Sequence, residues 1–436
     1  MGQRRQRRQL RLCARLLLLS ALPLTVFVVR TAARGLLGGS RDPQPSGVVD
    51  FPAVEGREWR AKDVYVTGEG TFVSFCNMNI ADYQSEPWKT PMDQMLAVAS
   101  NCRSRTHTRK YSLADLMAHQ QRNPERYLSP SGFIHHETRC GSTLVANMIA
   151  HIPTALMVSE SLVPYKALQL KASGELRVSE VRALFRALCF TQHHHDRCFF
   201  KLPGGTMLSQ FQEVFPDTPW VFLFREPLDV VVSNMRGAWG KKELLYSEAA
   251  SGQLIEKASK KAIAPCLRMP LPDGVTRDDA PEMRCAGGLD KICRDAMAAA
   301  RARPDLALVL DYKNLPEAVT EYLWPVHFRQ GPARTERDLP YMEEAGRAYS
   351  KHNDLPYMEE ASHAYSKTMK RDKADFALGA DADLKEKQLT DAIRREEQLT
   401  EAMRDAVETS TITGSYEELL AMQRWTKDGG LKPPVQ

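Results

Sequence analysis

An alternation of short apolar segments with amphipathic ones is the feature of this 436-residue chain that most restricts its fold. Runs typical of buried strands occur at residues 132–136, 155–159, 197–203, 220–224 and 306–312. Apolar residues at helical spacing fill most of the intervals, at residues 142–152, 178–190, 207–215 and 228–238. Strands that alternate with helices predict a central parallel sheet with helices on both faces, which is a doubly wound α/β domain.

Residues 61–330 are predicted to contain this α/β domain. Within it, residues 63–80 alternate around Gly68 and Gly70, which predicts a short pair of strands. Residues 112–123 have the apolar spacing of a helix. Because hydrophobic residues make up 43% of the chain, a core of this size can form.

The net charge of +5 is modest and is concentrated at the N-terminus. The first 15 residues contain six arginines and no acidic residue. Because the remainder is close to neutral, we expect no nucleic acid as a partner.

The N-terminus has the pattern of a targeting segment. Residues 16–29 carry no charge, and Arg15 can lengthen this apolar stretch by placing its charge at the membrane interface. Arginines before the stretch predict a type II signal anchor over 1–34, with the rest of the chain in the lumen. A cleaved secretory signal and an organelle transit peptide are the alternatives. Residues 35–60, rich in Gly, Pro and Ser, are predicted to be a stem or linker.

Nine cysteines bear on the compartment and on metal binding. Cys13 lies in the targeting segment, and the others are Cys76, Cys102, Cys140, Cys189, Cys198, Cys266, Cys285 and Cys293. These cysteines can pair in an oxidising lumen, but their spacing does not define which pairs form. We expect about two bridges, with the remaining cysteines as buried thiols. The spacing fits no zinc site, and the histidines at 193–195 are typical of a polar loop. No metal is expected.

The C-terminal quarter differs in composition. Residues 338–351 recur almost unchanged at 354–367, and residues 388–395 recur at 398–405. Two copies are too few for a solenoid. The sequence therefore predicts a charged helical C-terminal extension over 331–436 with a tandem 16-residue duplication and no catalytic role.

The stretch E-T-R-C-G-S-T, residues 137–143, joins a predicted strand to a predicted helix. The first turn of a helix has unpaired N–H groups that favour an anion. Gly141 permits close approach of the backbone, Ser142 and Thr143 add hydroxyl groups, and Arg139 adds a cation. The pattern indicates an anion-binding loop, although an ordinary strand–turn–helix with a surface arginine has the same pattern.

This loop differs from the P-loop of nucleotide-hydrolysing enzymes. Ser142 follows Gly141 directly, with no lysine between them, and no glycine lies five residues before Gly141. A group that would reach the β- and γ-phosphates is therefore missing from the loop, which disfavours an ordinary NTPase.

A second cationic signal, R-E-P-L-D-V-V-V-S, begins where the buried strand 220–224 ends. Arg225 is predicted at the same sheet edge as the glycine loop, and Ser233 lies in the following helix. Together they can hold a phosphate, which suggests a ligand with two separated anionic groups. The alternative is an ion pair between Arg225 and Asp229, with Ser233 on the helix surface.

The pair T-R-C-G-S-T-L and R-E-P-L-D-V-V-V-S resembles the sulfotransferase superfamily, over roughly residues 130–330. The resemblance is to a branch with an R-C-G-S-T loop. It implies a three-layer, P-loop-like α/β fold and 3′-phosphoadenosine 5′-phosphosulfate (PAPS) as co-substrate. The chain departs from cytosolic members because it has arginine in place of the loop lysine and no recognisable late R-K-G motif.

The resemblance also implies roles for individual residues. The loop around the 5′-phosphosulfate corresponds to Arg139, Cys140, Gly141, Ser142 and Thr143. Arg225 and Ser233 correspond to the residues that hold the 3′-phosphate. Lys201 lies at a strand-end position that is often basic or carries a histidine base, although no histidine stands beside it here.

Sulfuryl transfer needs a base for the acceptor's proton and donors that stabilise the leaving group. Arg139 and Lys201 are predicted to stabilise the leaving group. Glu160 follows the second strand and resembles the Ser-Glu of Golgi-type members, so it is the predicted base, with His136 as the alternative.

The sequence thus predicts a PAPS-dependent sulfotransferase, anchored in the Golgi membrane as a single-pass type II protein with a lumenal catalytic domain. Its partners are the membrane and a sulfate acceptor, which can be a glycan, a protein or a small molecule. The alternatives are a P-loop kinase or NTPase with a degenerate loop, and an inactive relative that serves as a scaffold.

Overall fold

A computed structural model describes residues 49–192, 195–204, 207–235, 266, 271, 274–276, 278–352, 401–426 and 430–431. These residues belong to one compact unit, 46–436. The predicted signal anchor at 1–34 and the second copy of the duplication at 354–367 lie outside the described residues. No helix within the described part of the chain is both long and apolar enough to cross a bilayer.

A three-stranded antiparallel sheet begins the unit. Its strands β1 (Glu58–Thr67), β2 (Gly70–Met78) and β3 (Thr108–Ser112) pair in the order β1-β2-β3. Thr67 pairs with Gly70 across a two-residue turn, so the predicted strand pair in 63–80 is present and longer than expected.

The first strand starts within the range 35–60 that was predicted as a linker. Trp59 is buried, and the buried ring of Phe51 lies 4.9 Å from Phe75 and 4.6 Å from Phe190 between ring centroids. The free energy gained by burying these aromatic side chains exceeds the entropic cost of ordering a segment that contains Gly and Pro. Residues from Val49 onward therefore belong to the folded unit rather than to a linker.

Five parallel strands form the central sheet, as the sequence predicted. They are β4 (Pro130–His136), β5 (Ala155–Ser159), β6 (Arg197–Pro203), β7 (Trp220–Phe224) and β8 (Ala307–Asp311). The order is β5-β6-β4-β7-β8, so the chain passes from β4 to the edge strand β5, returns to β6 beside β4, and then adds β7 and β8 on the other side. The carboxyl end of β4 is therefore the switch point, where ligands bind in sheets of this kind.

Helices cover the sheet and connect its strands. The described helices are α1 (Ile80–Ser85), α2 (Asp93–Ala99), α3 (Leu113–Arg122), α4 (Ser142–Ala150), α5 (Leu162–Ala172), α6 (Val178–Leu188), α7 (Leu208–Val214), α8 (227–235), α9 (Pro281–Ala302), α10 (Val319–His327), α11 (Pro332–His352), α12 (401–409) and α13 (Ile412–Met422). Two short strands, β9 (Trp425–Thr426) and β10 (Gly430–Leu431), pair antiparallel after α13. Helix α10 is wound more widely than an α-helix, with i→i+5 hydrogen bonds.

Adjacent residues of β6 show that both faces of the sheet are covered. The ring of Phe200 lies 5.1 Å from Phe185 of α6, and the ring of Phe199 lies 5.3 Å from Trp324 of α10. Successive side chains of a strand point to opposite faces. The domain therefore has three layers, with the sheet between two layers of helices.

The described helices of the C-terminal quarter pack on this domain. Helix α11 contains the first copy of the duplication, and it packs on α4 and buries Met342 and Ala345. Helix α13 packs on α9 and β8, and Leu419 and Trp425 join the main core. The prediction of an extension over 331–436 relied on charge, but a few apolar residues at helical spacing are enough to bury one helix face.

Three disulfides form among the described cysteines, and all six of the bridged cysteines are buried. The bridges are Cys76–Cys102, Cys189–Cys198 and Cys266–Cys285, while Cys140 and Cys293 are buried free thiols. One more bridge forms than the sequence led us to expect. Disulfides in this number are typical of an oxidising, secretory-type environment.

Candidate functional site

The candidate site lies at the carboxyl edge of the central sheet. Each central strand contributes one residue near or just beyond its end: Glu160 from β5, Lys201 from β6, Glu137 from β4, Arg225 from β7 and Tyr312 from β8. This arrangement follows from the parallel sheet, because the carboxyl ends of all its strands meet at one edge.

The loop between β4 and α4 needs a glycine at position 141. Gly141 has φ +79°, a left-handed conformation that favours glycine. A Cβ atom there would lie 2.7 Å from Tyr312 Cδ2 and 2.8 Å from Leu315 Cδ1. The sequence predicted close approach of a ligand at this glycine, and the structure shows in addition close approach of two side chains. Arg139, with φ +61°, is exposed in the same loop.

The loop itself contains no lysine, but Lys201 of the neighbouring strand β6 places one beside it. Its side chain is buried, and its Nζ lies 3.0 Å from Thr143 Oγ1 and 2.6 Å from Glu160 Oε1. The predicted residues Lys201, Glu160 and Thr143 are therefore in direct contact. Strand β6 places this cation beside the first turn of α4, where an anion would be favoured.

Glu160 and His136 lie side by side next to Lys201. Glu160 Oε1 is 3.7 Å from His136 Nε2, and the backbone N–H of Glu160 donates to the carbonyl oxygen of Lys201 at 2.9 Å. Burial opposes ionisation of Glu160, but the charge and hydrogen bond of Lys201, together with the charge of Arg139, outweigh it, and the pKa of Glu160 is lowered. Burial, followed by the charge of Lys201, lowers the pKa of His136 to about 4. At neutral pH the pair therefore consists of a carboxylate and a neutral imidazole.

The imidazole of His136 has a defined orientation. Its Nδ1 donates to the carbonyl oxygen of Glu137 at 2.5 Å, so the neutral ring carries its proton on Nδ1. Its Nε2 has no hydrogen-bond partner among the described residues and faces Glu160. The ring thus presents a lone pair to the site.

Arg225 lies beyond the end of β7 with its side chain largely buried. Its Nη2 is 2.6 Å from Asp229 Oδ2, which is the ion pair considered as the alternative from the sequence. Its Cζ also lies 4.7 Å from the ring centroid of Tyr312. The ion pair and the ring together hold the guanidinium at the sheet edge.

Two contacts join Arg225 and its helix to the glycine loop. The backbone N–H of Arg225 donates to Glu137 Oε1 at 2.6 Å, and Asn234 Nδ2 donates to Thr138 Oγ1 at 2.5 Å. The loop and the end of β7 are therefore neighbours on one edge of the sheet.

Ser233 is the predicted site residue that the structure does not bring into contact with the others. It lies half-buried on α8, and its hydroxyl group forms no hydrogen bond with the other predicted site residues in the described part of the chain. Its neighbour Asn234 makes the contact with the loop instead.

Three residues of this edge were not predicted from the sequence: Glu137, Asn234 and Tyr312. Glu137 stands immediately before the T-R-C-G-S-T motif, so its position was a usable signal. Asn234 and Tyr312 act through contacts with residues about 90 to 170 positions away, and no local pattern marks them.

The described residues contain no group of three or more His, Cys, Asp or Glu side chains that could hold a metal ion. Of the consecutive histidines, residues 193–194 lie outside the described ranges. His195 is buried and lies 3.1 Å from Glu58 Oε1 and 3.1 Å from Thr191 Oγ1. It therefore belongs to a buried polar cluster beneath β1.

Comparison with protein-family models gives no match to this chain, and comparison with curated proteins gives none either. The class of protein is therefore defined by the fold and the site alone. It is a three-layer α/β protein whose strand ends carry a cationic loop, a buried lysine–glutamate pair and a second arginine.

Proposed function

We propose that the chain is a PAPS-dependent sulfotransferase with a P-loop-like α/β fold. One observation carries the proposal: a cationic glycine loop and a second arginine adjoin at one sheet edge, and the ring of Tyr312 contacts both. A ligand with two separated anionic groups suits two adjoining cationic positions. The sulfate donor is such a ligand, with a 5′-phosphosulfate and a 3′-phosphate.

The loop side of the site suits the 5′-phosphosulfate. The first turn of α4 offers unpaired N–H groups together with the hydroxyl groups of Ser142 and Thr143. Exposed Arg139 and buried Lys201 add two cations. In transfer, negative charge develops on the oxygen that leaves with the phosphate, and fixed cations and N–H donors there lower the barrier.

The β7 side of the site suits the 3′-phosphate less completely. Arg225 is already paired with Asp229, whose side chain is 53% exposed. A phosphate would share or replace this half-exposed carboxylate, which a dianion with bidentate geometry can do. Ser233 remains a candidate second ligand in the same helix.

The acceptor's proton passes to Glu160 in this proposal. The acceptor oxygen attacks sulfur, the bond from sulfur to the phosphate oxygen breaks, and the proton of the acceptor hydroxyl moves to the Glu160 carboxylate. Glu160 is the more accessible of the two candidate bases, with a side chain 24% exposed against 5% for His136. Lys201 turns from Glu160 toward the leaving oxygen when an anion enters, which frees the carboxylate to accept.

The fold and chemistry of the chain are compatible with a lumenal enzyme. Three disulfides favour an oxidising compartment. We propose that the chain is a type II protein of the Golgi membrane, with the anchor at 1–34 predicted from sequence. The acceptor is a glycan, a protein or a small molecule.

A melting experiment on the full chain tests the donor assignment. Adenosine 3′,5′-bisphosphate, the product of the donor, should raise the melting temperature by about 2–4 °C at a concentration near 100 times its Kd. Arg139→Ala and Arg225→Ala should each abolish the shift. Arg105→Ala, an exposed arginine in the turn before β3, is the matched control and should preserve it.

The same experiment separates the alternatives. Stabilisation by ATP with magnesium and none by the bisphosphate would replace the proposal with a kinase or NTPase. Radiolabelled PAPS incubated with fractionated glycans, proteins and metabolites then identifies the acceptor. Binding of the bisphosphate without label transfer to any fraction would favour the inactive scaffold.

A further inference from the structure

Glu137 is a buried carboxyl group directly behind the anion loop, and the proposed reaction does not use it. Its side chain belongs to a residue only 1% exposed. Its Oε1 accepts the backbone N–H of Arg225 at 2.6 Å, and its Oε2 accepts from the thiol of Cys293 on α9 at 3.6 Å. The carboxyl group therefore connects the loop to β7 and to a third element.

The backbone of Glu137 strengthens the same connection. Its N–H donates to the carbonyl oxygen of Leu223 at 3.2 Å, and its carbonyl oxygen accepts from Cys140 Sγ at 3.1 Å. Side chain and backbone thus bond both to the loop and to the end of β7. Together they fix the distance between the two cationic halves of the site.

The surroundings of this carboxyl group do not favour its charge. Among the described residues, no cationic side chain pairs with it. The titratable or charged groups that face it are Arg225 beyond β7, Asp311 at the end of β8, Cys293 on α9, Cys140 in the loop, His136 on β4 and Tyr416 on α13. Burial raises the pKa of Glu137 to about 8, and the hydrogen bonds from the N–H of Arg225 and the thiol of Cys293 offset only part of this.

We propose that Glu137 is a positioning residue that couples the two halves of the anion site, and that the site binds its anion with Glu137 in the neutral acid form. A buried negative charge beneath the loop would repel an anion held above it. The neutral acid keeps the bond from the N–H of Arg225 on Oε1 and carries its own proton on Oε2, which then donates to the sulfur of Cys293 in place of the bond that the thiol donates to the carboxylate. The choice of ligand for the test rests on the proposed function.

The test measures the affinity of the full chain for adenosine 3′,5′-bisphosphate between pH 7.5 and 9. Phosphate groups are already fully ionised across this range, because their second pKa is about 6. The wild-type Kd should rise with pH, approaching tenfold per pH unit above the pKa of about 8. Glu137→Gln preserves an acceptor and an N–H donor, so it should bind as tightly as wild type at pH 7.5 and show no such rise.

Two further variants complete the test. Glu137→Ala should weaken binding at least tenfold across the range, since it removes the bond to Arg225. Glu226→Gln changes a partly exposed carboxylate one residue after Arg225 and should keep the wild-type pH dependence. A flat wild-type profile, or the same pH dependence in Glu137→Gln as in wild type, overturns the proposal.

A ligand-free measurement keeps this result apart from the donor assignment. The folded chain retains a proton on Glu137 that the unfolded chain loses near pH 4.3, so the unfolding equilibrium constant should rise up to tenfold per pH unit between pH 6.5 and 8. Glu137→Gln should remove that rise. If the rise is lost in the variant while wild type binds no bisphosphate, Glu137 carries the proton and the donor assignment is wrong. An unchanged rise in the variant overturns the assignment of the proton.

Discussion

The guanidinium of Arg225 lies 4.7 Å from the ring centroid of Tyr312. The same ring occupies the space next to Gly141, where a Cβ atom would lie 2.7 Å from its Cδ2. One side chain from the end of β8 therefore contacts both the glycine loop and the arginine of β7. The three strand ends form one structural unit.

We expect Gly141→Ala to be strongly destabilising for this reason. The substitution imposes a left-handed conformation on alanine and pushes Cβ into Tyr312 and Leu315. Strain and overpacking together should lower the free energy of unfolding by about 2–5 kcal/mol. Urea denaturation of the full chain measures this change.

Gly174→Ala is the matched control for the glycine substitution. Gly174 has a similar φ of +81°, but nothing lies within 4 Å of an added Cβ. Gly174→Ala should lower the free energy of unfolding only through backbone strain, by about 1–2 kcal/mol. Equal losses in the two variants would mean that Tyr312 does not pack on Gly141 as described.

The pH dependence of sulfate transfer should identify the base. Since the pKa of Glu160 is lowered, its carboxylate is present at neutral pH, and activity should fall only as the pH drops through this lowered pKa. Glu160→Gln should reduce kcat about 100- to 10,000-fold. It should still be stabilised by the bisphosphate, because the loop and Arg225 remain.

His136→Gln is the comparison that can contradict this assignment. If Glu160 is the base, removing His136 should change kcat far less than Glu160→Gln does. If instead His136→Gln removes the acid limb of the kcat profile and Glu160→Gln retains most activity, the Nε2 lone pair of His136 accepts the proton.

Gln423 should be important for stability although it lies far from the site motifs in sequence. Its Oε1 accepts from the backbone N–H of Asp311 at 3.1 Å and from Asn314 Nδ2 at 2.8 Å. Gln423→Leu removes the acceptor shared by these two buried donors and should lower the free energy of unfolding by about 1–3 kcal/mol. Because these donors flank Tyr312, the bisphosphate-induced rise in melting temperature should also shrink.

Glu418→Ala provides the control, on helix α13 immediately before Gln423. Glu418 pairs with Arg301, and both side chains are about half exposed. Removing an exposed ion pair should change the free energy of unfolding by less than about 1 kcal/mol. A similar small loss in Gln423→Leu would show that α13 does not support the turn at Tyr312.

Acid should destabilise the fold partly through His135, which is 1% exposed between β4 and α7. Burial lowers its folded-state pKa to about 3, whereas an unfolded histidine titrates near 6.5. The stabilisation that the neutral His135 gives to the folded state is therefore complete above pH 6.5. It is lost as the pH falls toward 3, by up to about 1.4 kcal/mol per pH unit. His135→Asn should lower stability at all pH values but make the dependence on pH between 4 and 6.5 less steep.

Much of the architecture could be predicted from the sequence. Buried parallel strands are continuous apolar runs, and 155–159 and 220–224 are strands with those bounds in the structure. The loop at 139–143, Lys201 and Arg225 were also located correctly at the strand ends, because parallel strands bring such residues to one edge.

The remaining features depend on contacts that sequence spacing does not encode. Tyr312 closes an apolar run and has no local pattern that marks it, yet it contacts Gly141 and Arg225. The C-terminal quarter appeared to be an extension because charged residues dominate it. Leu419 and Trp425 nevertheless bury themselves against the domain, and only tertiary packing reveals this.

The three disulfides have a consequence for how the chain acquires its bonds. Each bridge joins cysteines separated by 26, 9 or 19 positions, and no bridge encloses another cysteine. A chain that enters an oxidising compartment from its N-terminus can therefore close each bridge as soon as the second sulfur arrives. Cys140 is the described upstream thiol that is still unpaired when Cys189 arrives, so it is the cysteine that can compete with Cys198 for the second bridge.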